Sequence, residues 1–308
     1  MKFKGMAKMD LGNIGTAMVT PFTKDGAMVD YKHLAGMIEH LISTGTDTIV
    51  VLGTTGEVPT LSTEEKLDVL KYTVDRVNGR VPVIAGVGDN ETYYSKIMAQ
   101  KAEVAGVDGV MLVAPYYNKP NQRGIYAHFV DIAQSVDIPV MLYNIPGRTG
   151  INIAPETVAK LAQVPNIQII KEASGDLDQM SEILASTPDD FKVYSGDDGI
   201  TLPLLAVGGH GVISVAAHVV GNDMQTMISL FKEGRHEEAA KIHQALLPLI
   251  RALFAQPSPS PVKYALSKLG LCNENVRLPI VALTDEEKAA FDVVWDAYFE
   301  QQKSFATV

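Results

Sequence analysis

The chain has 308 residues, 46% of them apolar and 20% charged, enough to bury a large core without covalent staples. Its 26 Lys and Arg against 36 Asp and Glu leave a net charge of −10, which excludes gripping a phosphate backbone, a task for clustered cations. The single cysteine, Cys272, excludes an intrachain disulfide framework and points to a reducing, cytoplasmic setting.

At the N-terminus, Met1 to Gly5 are basic, but Asp10, Asn13 and Thr16 interrupt any signal-peptide core. From there short apolar runs alternate with amphipathic stretches. Strands are predicted at Ile14–Val19, Thr48–Leu52, Pro82–Gly86, Gly109–Val113, Pro139–Tyr143, Gln168–Lys171, Lys192–Tyr194 and Gly211–Val215. Unbroken runs such as Val110-Met111-Leu112-Val113 suit strands of a parallel sheet covered on both faces. Helical stripes lie between them: Leu34, Met37, Ile38, Leu41 and Ile42, then Leu67, Leu70, Val74 and Val77, the latter opened by Ser62 and Glu65 at capping-box spacing. The apolar stretch Val212–Val220 contains Ser214 and His218 and falls short of the roughly 20 residues that cross a bilayer.

A strand-helix repeat of about 30 residues predicts a (β/α)₈ barrel, with a doubly wound sheet as the competitor because period alone does not show closure. The barrel is assigned to residues 11–232 and a C-terminal three-helix extension to 233–308. That extension opens with a long helix through Ala239, Ile242, Leu246, Leu249 and Leu253, where Pro248 predicts a kink. Pro257-Ser258-Pro259-Ser260-Pro261 then breaks the chain, and the last helix opens at Thr284 with Glu287 and buries Phe291, Val294, Trp295 and Tyr298.

In a barrel, chemistry belongs where the strands end. Gly53-Thr54-Thr55-Gly56-Glu57 after the second strand reads equally as an anion-holding loop or as a turn into a helix. Adjacent Tyr116 and Tyr117 after the fourth are more often packing or interface residues than catalysts. The fifth strand runs into Tyr143-Asn144-Ile145-Pro146-Gly147-Arg148-Thr149, where Arg148 offers a planar fork for a carboxylate or a partner for a surface acid. Lys171 closes the apolar run Ile167–Ile170. There it is either a desolvated amine, with Glu172 as the carboxylate that restores its charge, or a strand-end lysine reaching solvent. Asp197-Asp198 fits helix capping better than magnesium binding, and Gly208-Gly209-His210-Gly211 fits a tight connection into the eighth strand. The seven histidines form no metal-binding pair, so no metal is expected.

Taken together and in order, Gly53–Glu57, Pro115-Tyr116-Tyr117-Asn118, Tyr143–Thr149, Lys171-Glu172-Ala173-Ser174-Gly175, Gly208–Ser214 and the Pro-x-Pro-x-Pro-Val-Lys segment resemble the N-acetylneuraminate lyase/dihydrodipicolinate synthase family of class I aldolases, most closely its synthase branch. The resemblance covers nearly the whole chain. It implies a Schiff base between Lys171 and pyruvate, condensation with aspartate 4-semialdehyde, and a heterocyclic product on the route to lysine and diaminopimelate. It implies Tyr143 as the proton donor and acceptor, with Thr54 and Tyr117 as its relay and Tyr117 crossing from a neighbouring subunit of a dimer or a tetramer of two dimers. Thr55 and the Ile213 backbone would hold the pyruvate carboxylate, and Arg148 the semialdehyde. No organic cofactor or metal is implied.

Gly147 stands where the family often has serine, Ser258 where asparagine is common, and the first ten residues extend beyond the usual start as an expected mobile tail. A sister lyase of sugar acids is the alternative, disfavoured by Thr54 and Arg148; a non-enzymatic sensor would not need the intact Lys, Tyr and Thr set. Where relatives bind inhibitory lysine, the matching positions are Thr63, Lys66 and Tyr94, which implies weak or absent inhibition here, Glu91 being the possible substitute acid.

Overall fold

The computed structural model describes residues 8–305. Eight parallel strands close a barrel in sequence order: β1 (Ile14–Ala17), β2 (Thr48–Val51), β3 (Val83–Gly86), β4 (Gly109–Val113), β5 (Val140–Asn144), β6 (Ile167–Glu172), β7 (Lys192–Ser195) and β8 (Gly211–Ser214). Closure comes from β8 pairing with β1, Ile14 opposite Val212 and Gly15 opposite Ile213. Each predicted strand is present, shifted by at most two residues at an end, and the doubly wound alternative is set aside.

Alternation along the strands sorts the side chains into two cores. Residues such as Val50, Ile84, Met111, Met141, Ile169 and Ile213 fill the barrel interior. Their neighbours, including Ile49, Val51, Val110, Leu142 and Ile170, pack outward against the helices. The helix Thr63–Val77 starts with the expected capping box: Ser62 accepts the Glu65 N–H at 3.1 Å, and Glu65 accepts the Ser62 N–H at 2.9 Å.

Past the barrel, the helices His236–Leu253, Ser260–Lys268 and Asp285–Phe305 form the C-terminal region. Pro248 lies inside the first of them. The last is capped by reciprocal bonds between Thr284 and Glu287, with Phe291, Trp295 and Tyr298 buried. A buried ion pair ties this region to the barrel: Lys263 Nζ lies 2.5 Å from Glu57 Oε1 and over the Phe22 ring. The expected mobile tail divides. Residues 1–7 and 306–308 lie outside the described residues, but Lys8 pairs with Asp190 and the Met9 N–H bonds Gln168, so this end of the segment is anchored. Among the described residues no helix is long and apolar enough to cross a membrane.

Candidate active site

Register builds the centre of the site. Tyr143 on β5 pairs with Lys171 on β6, and Lys171 with Tyr194 on β7, so these side chains stand side by side facing the barrel axis. One residue further, Asn144 pairs with Glu172, and both face the opposite way. Glu172 accepts bonds from the Asn144 amide, the Ser174 N–H and the Gln179 amide. Its expected role as the acid beside Lys171 is therefore wrong: a one-residue step along a strand reverses the face.

Lys171 is 6% exposed, and its Nζ lies 4.3 Å from the centre of the Tyr143 ring. Burial pushes its pKa down to about 8, opposed by the charge of Asp198 and assisted by that of Arg148. The carboxylate whose charge acts on this amine is thus Asp198, which follows β7. It is buried, accepts the Ser214 hydroxyl and the N–H groups of Val215 (3.0 Å) and Ala216 (3.2 Å), and is pushed up by that burial. Asp197, its neighbour, caps the following turn by accepting the Gly199 N–H at 2.8 Å, in line with the capping expectation. Gly196 gives Lys171 its room: a Cβ there would lie 3.0 Å from Lys171 Cε and 2.7 Å from Ala173 Cβ.

Tyr143 is also buried, which pushes its phenol up to about 12, against the Arg148 charge and the Thr54 hydroxyl that reaches it. Gly53–Glu57 is both turn and loop: Thr54–Gly56 make one turn of 3₁₀ helix that holds Thr54 and Thr55 over the strand ends. Arg148 rides on the single helical turn Pro146–Thr149, fixed by the Thr149 hydroxyl bonding Ile145 O at 3.0 Å.

A cavity of about 500 Å³ is lined by Thr54, Thr55, Tyr143, Arg148 and Lys171. The structure therefore brings five of the seven sequence-read residues together. Ile213 lies on β8 with its side chain in the interior core, outside the cavity lining. Tyr117 is 87% exposed, with φ +69°, and does not meet Tyr143 within one chain. Sequence reasoning missed Asp198 as the acid whose charge acts on Lys171, and also the far wall, where Leu247, Ile250, Arg251 and Phe254 come from the C-terminal region. Their spacing of three, four and seven residues was the available signal. Ser258 also lines the cavity, its buried hydroxyl without a hydrogen-bond partner among the described residues. Among the described residues no group of three or more His, Cys, Asp or Glu could hold a metal ion.

Residues 10–297 match the dihydrodipicolinate synthetase family. The chain is 57% identical over 286 residues to the 4-hydroxy-tetrahydrodipicolinate synthase of Bacillus velezensis, covering 93% of this chain and 99% of that one. A crystal structure of dihydrodipicolinate synthase from Bacillus anthracis shares 51% identity with TM-score 0.91, covering 93% of this chain and 98% of that one. A chloride-inhibited dihydrodipicolinate synthase from Acinetobacter baumannii, solved in complex with pyruvate, shares 37% identity with TM-score 0.91, covering 94% of this chain and 99% of that one. Fold and relatives together define a (β/α)₈-barrel lyase. The chain belongs to the dihydrodipicolinate synthetase family, and its activity is that of a 4-hydroxy-tetrahydrodipicolinate synthase, an enzyme of lysine biosynthesis. The sugar-acid and sensor alternatives are thereby set aside.

Proposed function

We propose that Lys171 carries this reaction through a Schiff base with pyruvate, followed by condensation with aspartate 4-semialdehyde. The observation that carries the reading is a buried amine, its pKa lowered to about 8, packed on the ring of a protonated phenol. Neutral Nζ adds to the pyruvate ketone, and loss of water gives the protonated imine. Removal of a methyl proton leaves the enamine, whose terminal carbon bonds to the aldehyde carbon. The second substrate's amine then attacks the imine carbon and displaces Lys171, closing the ring. The sum is product dianion, one water and one proton.

Tyr143 gives and takes the protons in this scheme, relayed by Thr54 and by Tyr117 from a neighbouring subunit. The exposure of Tyr117 within one chain supports that donation, and with it a dimer or a tetramer of two dimers. Thr55 and the Ile213 backbone hold the pyruvate carboxylate, and Arg148 the semialdehyde carboxylate. The barrel, residues 11–232, supplies the reacting groups, and residues 233–308 supply a wall of the cavity. No cofactor enters, since the imine nitrogen is itself the electron sink, and the lone buried Cys272 suits a reducing cytoplasm. Borohydride reduction in the presence of pyruvate tests the reading: it should fix the pyruvate carbons on Lys171, and labelling of a different lysine would contradict it.

A further inference from the structure

The helix His236–Leu253 and its C-cap lay Leu247, Ile250, Arg251 and Phe254 along one wall of the cavity, a single helical face. Three of the four are apolar; the fourth is a cation. Arg76, Arg80, Arg235 and Arg277 each lie against a carboxylate. The Arg251 side chain makes no hydrogen bond or ion pair to the described residues, the residue is exposed, and it shares the cavity with Arg148. On its other side lies a second cavity of about 450 Å³ that contains Glu286 and Glu287. Neither acid forms an ion pair with Arg251 among the described residues, and Glu287 accepts the Thr284 N–H at 2.8 Å at the start of the last helix. Within the catalytic cavity the only lining acid among the described residues is Asp197, which caps its own turn. A chain of net charge −10 therefore carries Lys171, Arg148 and Arg251 around one opening.

We propose that Arg251 is a specificity-determining residue of the condensation, an outer station that draws in the carboxylate of the aldehyde substrate before Arg148 holds it. This rests on pyruvate and aspartate 4-semialdehyde as the substrates. The semialdehyde is a zwitterion of zero net charge, so a rim cation acts on its carboxylate at close range; the contribution appears in kcat/KM and weakens as salt screens an exposed contact.

The experiment compares the full-length protein with Arg251→Gln and Arg251→Lys, measuring kcat/KM for aspartate semialdehyde from low to high salt and borohydride trapping with pyruvate. Arg251→Gln should lower kcat/KM about three- to tenfold at low salt, with the gap closing at high salt. Arg251→Lys, which keeps the charge, should recover most of the loss, and pyruvate trapping at Lys171 should persist in both. Equal kcat/KM and equal salt slopes for Arg251→Gln and the unaltered protein would overturn the assignment, as would a lysine variant no better than glutamine. If the unaltered protein is not trapped by pyruvate, the substrate reading itself falls and this inference with it. Normal trapping with silent variants sinks the Arg251 role alone.

Discussion

Lys171 Nζ sits 4.3 Å from the centre of the Tyr143 ring because β5 and β6 hold the two residues in register, both facing the barrel axis. The ring face attracts an ammonium, but burial opposes the charge more strongly, and the pKa falls to about 8. At pH 7 roughly a tenth of such an amine is neutral, about 300-fold more than for an ordinary lysine.

A pH profile follows from that value. Imine formation with pyruvate should rise about tenfold per unit below pH 8 and level off above it, because only the neutral amine attacks. Lys171→Ala should lose trapping altogether. Single-turnover trapping rates between pH 6 and 9.5 measure this; a flat profile over that range contradicts it.

Proton transfer and carboxylate binding should separate by mutation. Tyr143→Phe removes the phenol beside Lys171 and should lower kcat about 10²- to 10⁴-fold. Arg148→Ala should raise KM for the semialdehyde while pyruvate trapping continues. Its charge also depresses the Lys171 pKa, so the variant's trapping profile should shift to higher pH. A shift to lower pH would show that Arg148 does not face the amine.

Burying this amine costs stability. The folded pKa lies below the ordinary 10.5, so the unfolded chain binds the proton more tightly and stability rises with pH between about 8 and 10.5. Below pH 8 the full penalty applies, on the order of 3 kcal/mol. Lys171→Met keeps the volume and removes the charge, and Asp198 retains its bonds to Ser214, Val215 and Ala216. The inactive variant should melt several degrees higher at pH 7. A lower melting temperature in calorimetry would count against the argument.

Periodicity made the barrel legible, because buried parallel strands are continuous apolar runs and the helices between them carry stripes and caps. Lys171, Tyr143 and Arg148 were legible as polar residues ending such runs. Facing relations were not. Whether Glu172 or Asp198 sees the amine depends on strand parity and on where the β7 loop folds back, and neither is fixed by proximity in sequence. Arg251 was hidden for a different reason: it lies 80 residues from Lys171 in a region that reads as a helical appendage, and only tertiary packing brings it to the cavity.

The Lys263–Glu57 pair tests the coupling of that appendage to the barrel. Both side chains are buried, Glu57 Oε2 also accepts the Arg277 N–H at 2.8 Å, and Glu57 ends the turn that carries Thr54 and Thr55. Lys263→Met strands a buried carboxylate and should cost about 3–5 kcal/mol. Lys263→Met with Glu57→Gln should recover much of that loss, and urea denaturation of the two singles and the double gives the coupling. Additive losses would show that the pair is not a unit.

Feedback by lysine is expected to be weak. Thr63, Lys66 and Tyr94 come together as their assignment to one pocket requires: Tyr94 Oη lies 3.3 Å from the Thr63 hydroxyl and 3.4 Å from Lys66 Nζ. Lys66 and Tyr94 line a cavity of about 230 Å³. A ligand ammonium there meets a resident ammonium and a neutral phenol instead of a carboxylate. Glu91 caps the helix instead, its carboxylate accepting the N–H groups of Tyr93 (2.8 Å) and Tyr94 (2.6 Å), and it is not among the residues that line that cavity. Loss of a charge-assisted bond costs roughly 1.5–3 kcal/mol, or about 10- to 150-fold in affinity. Activity titrated against free lysine should therefore show no half-inhibition at submillimolar concentration. Lys66→His with Tyr94→Glu should increase sensitivity; half-inhibition of the unaltered enzyme in the submillimolar range would show that lysine is held by other groups.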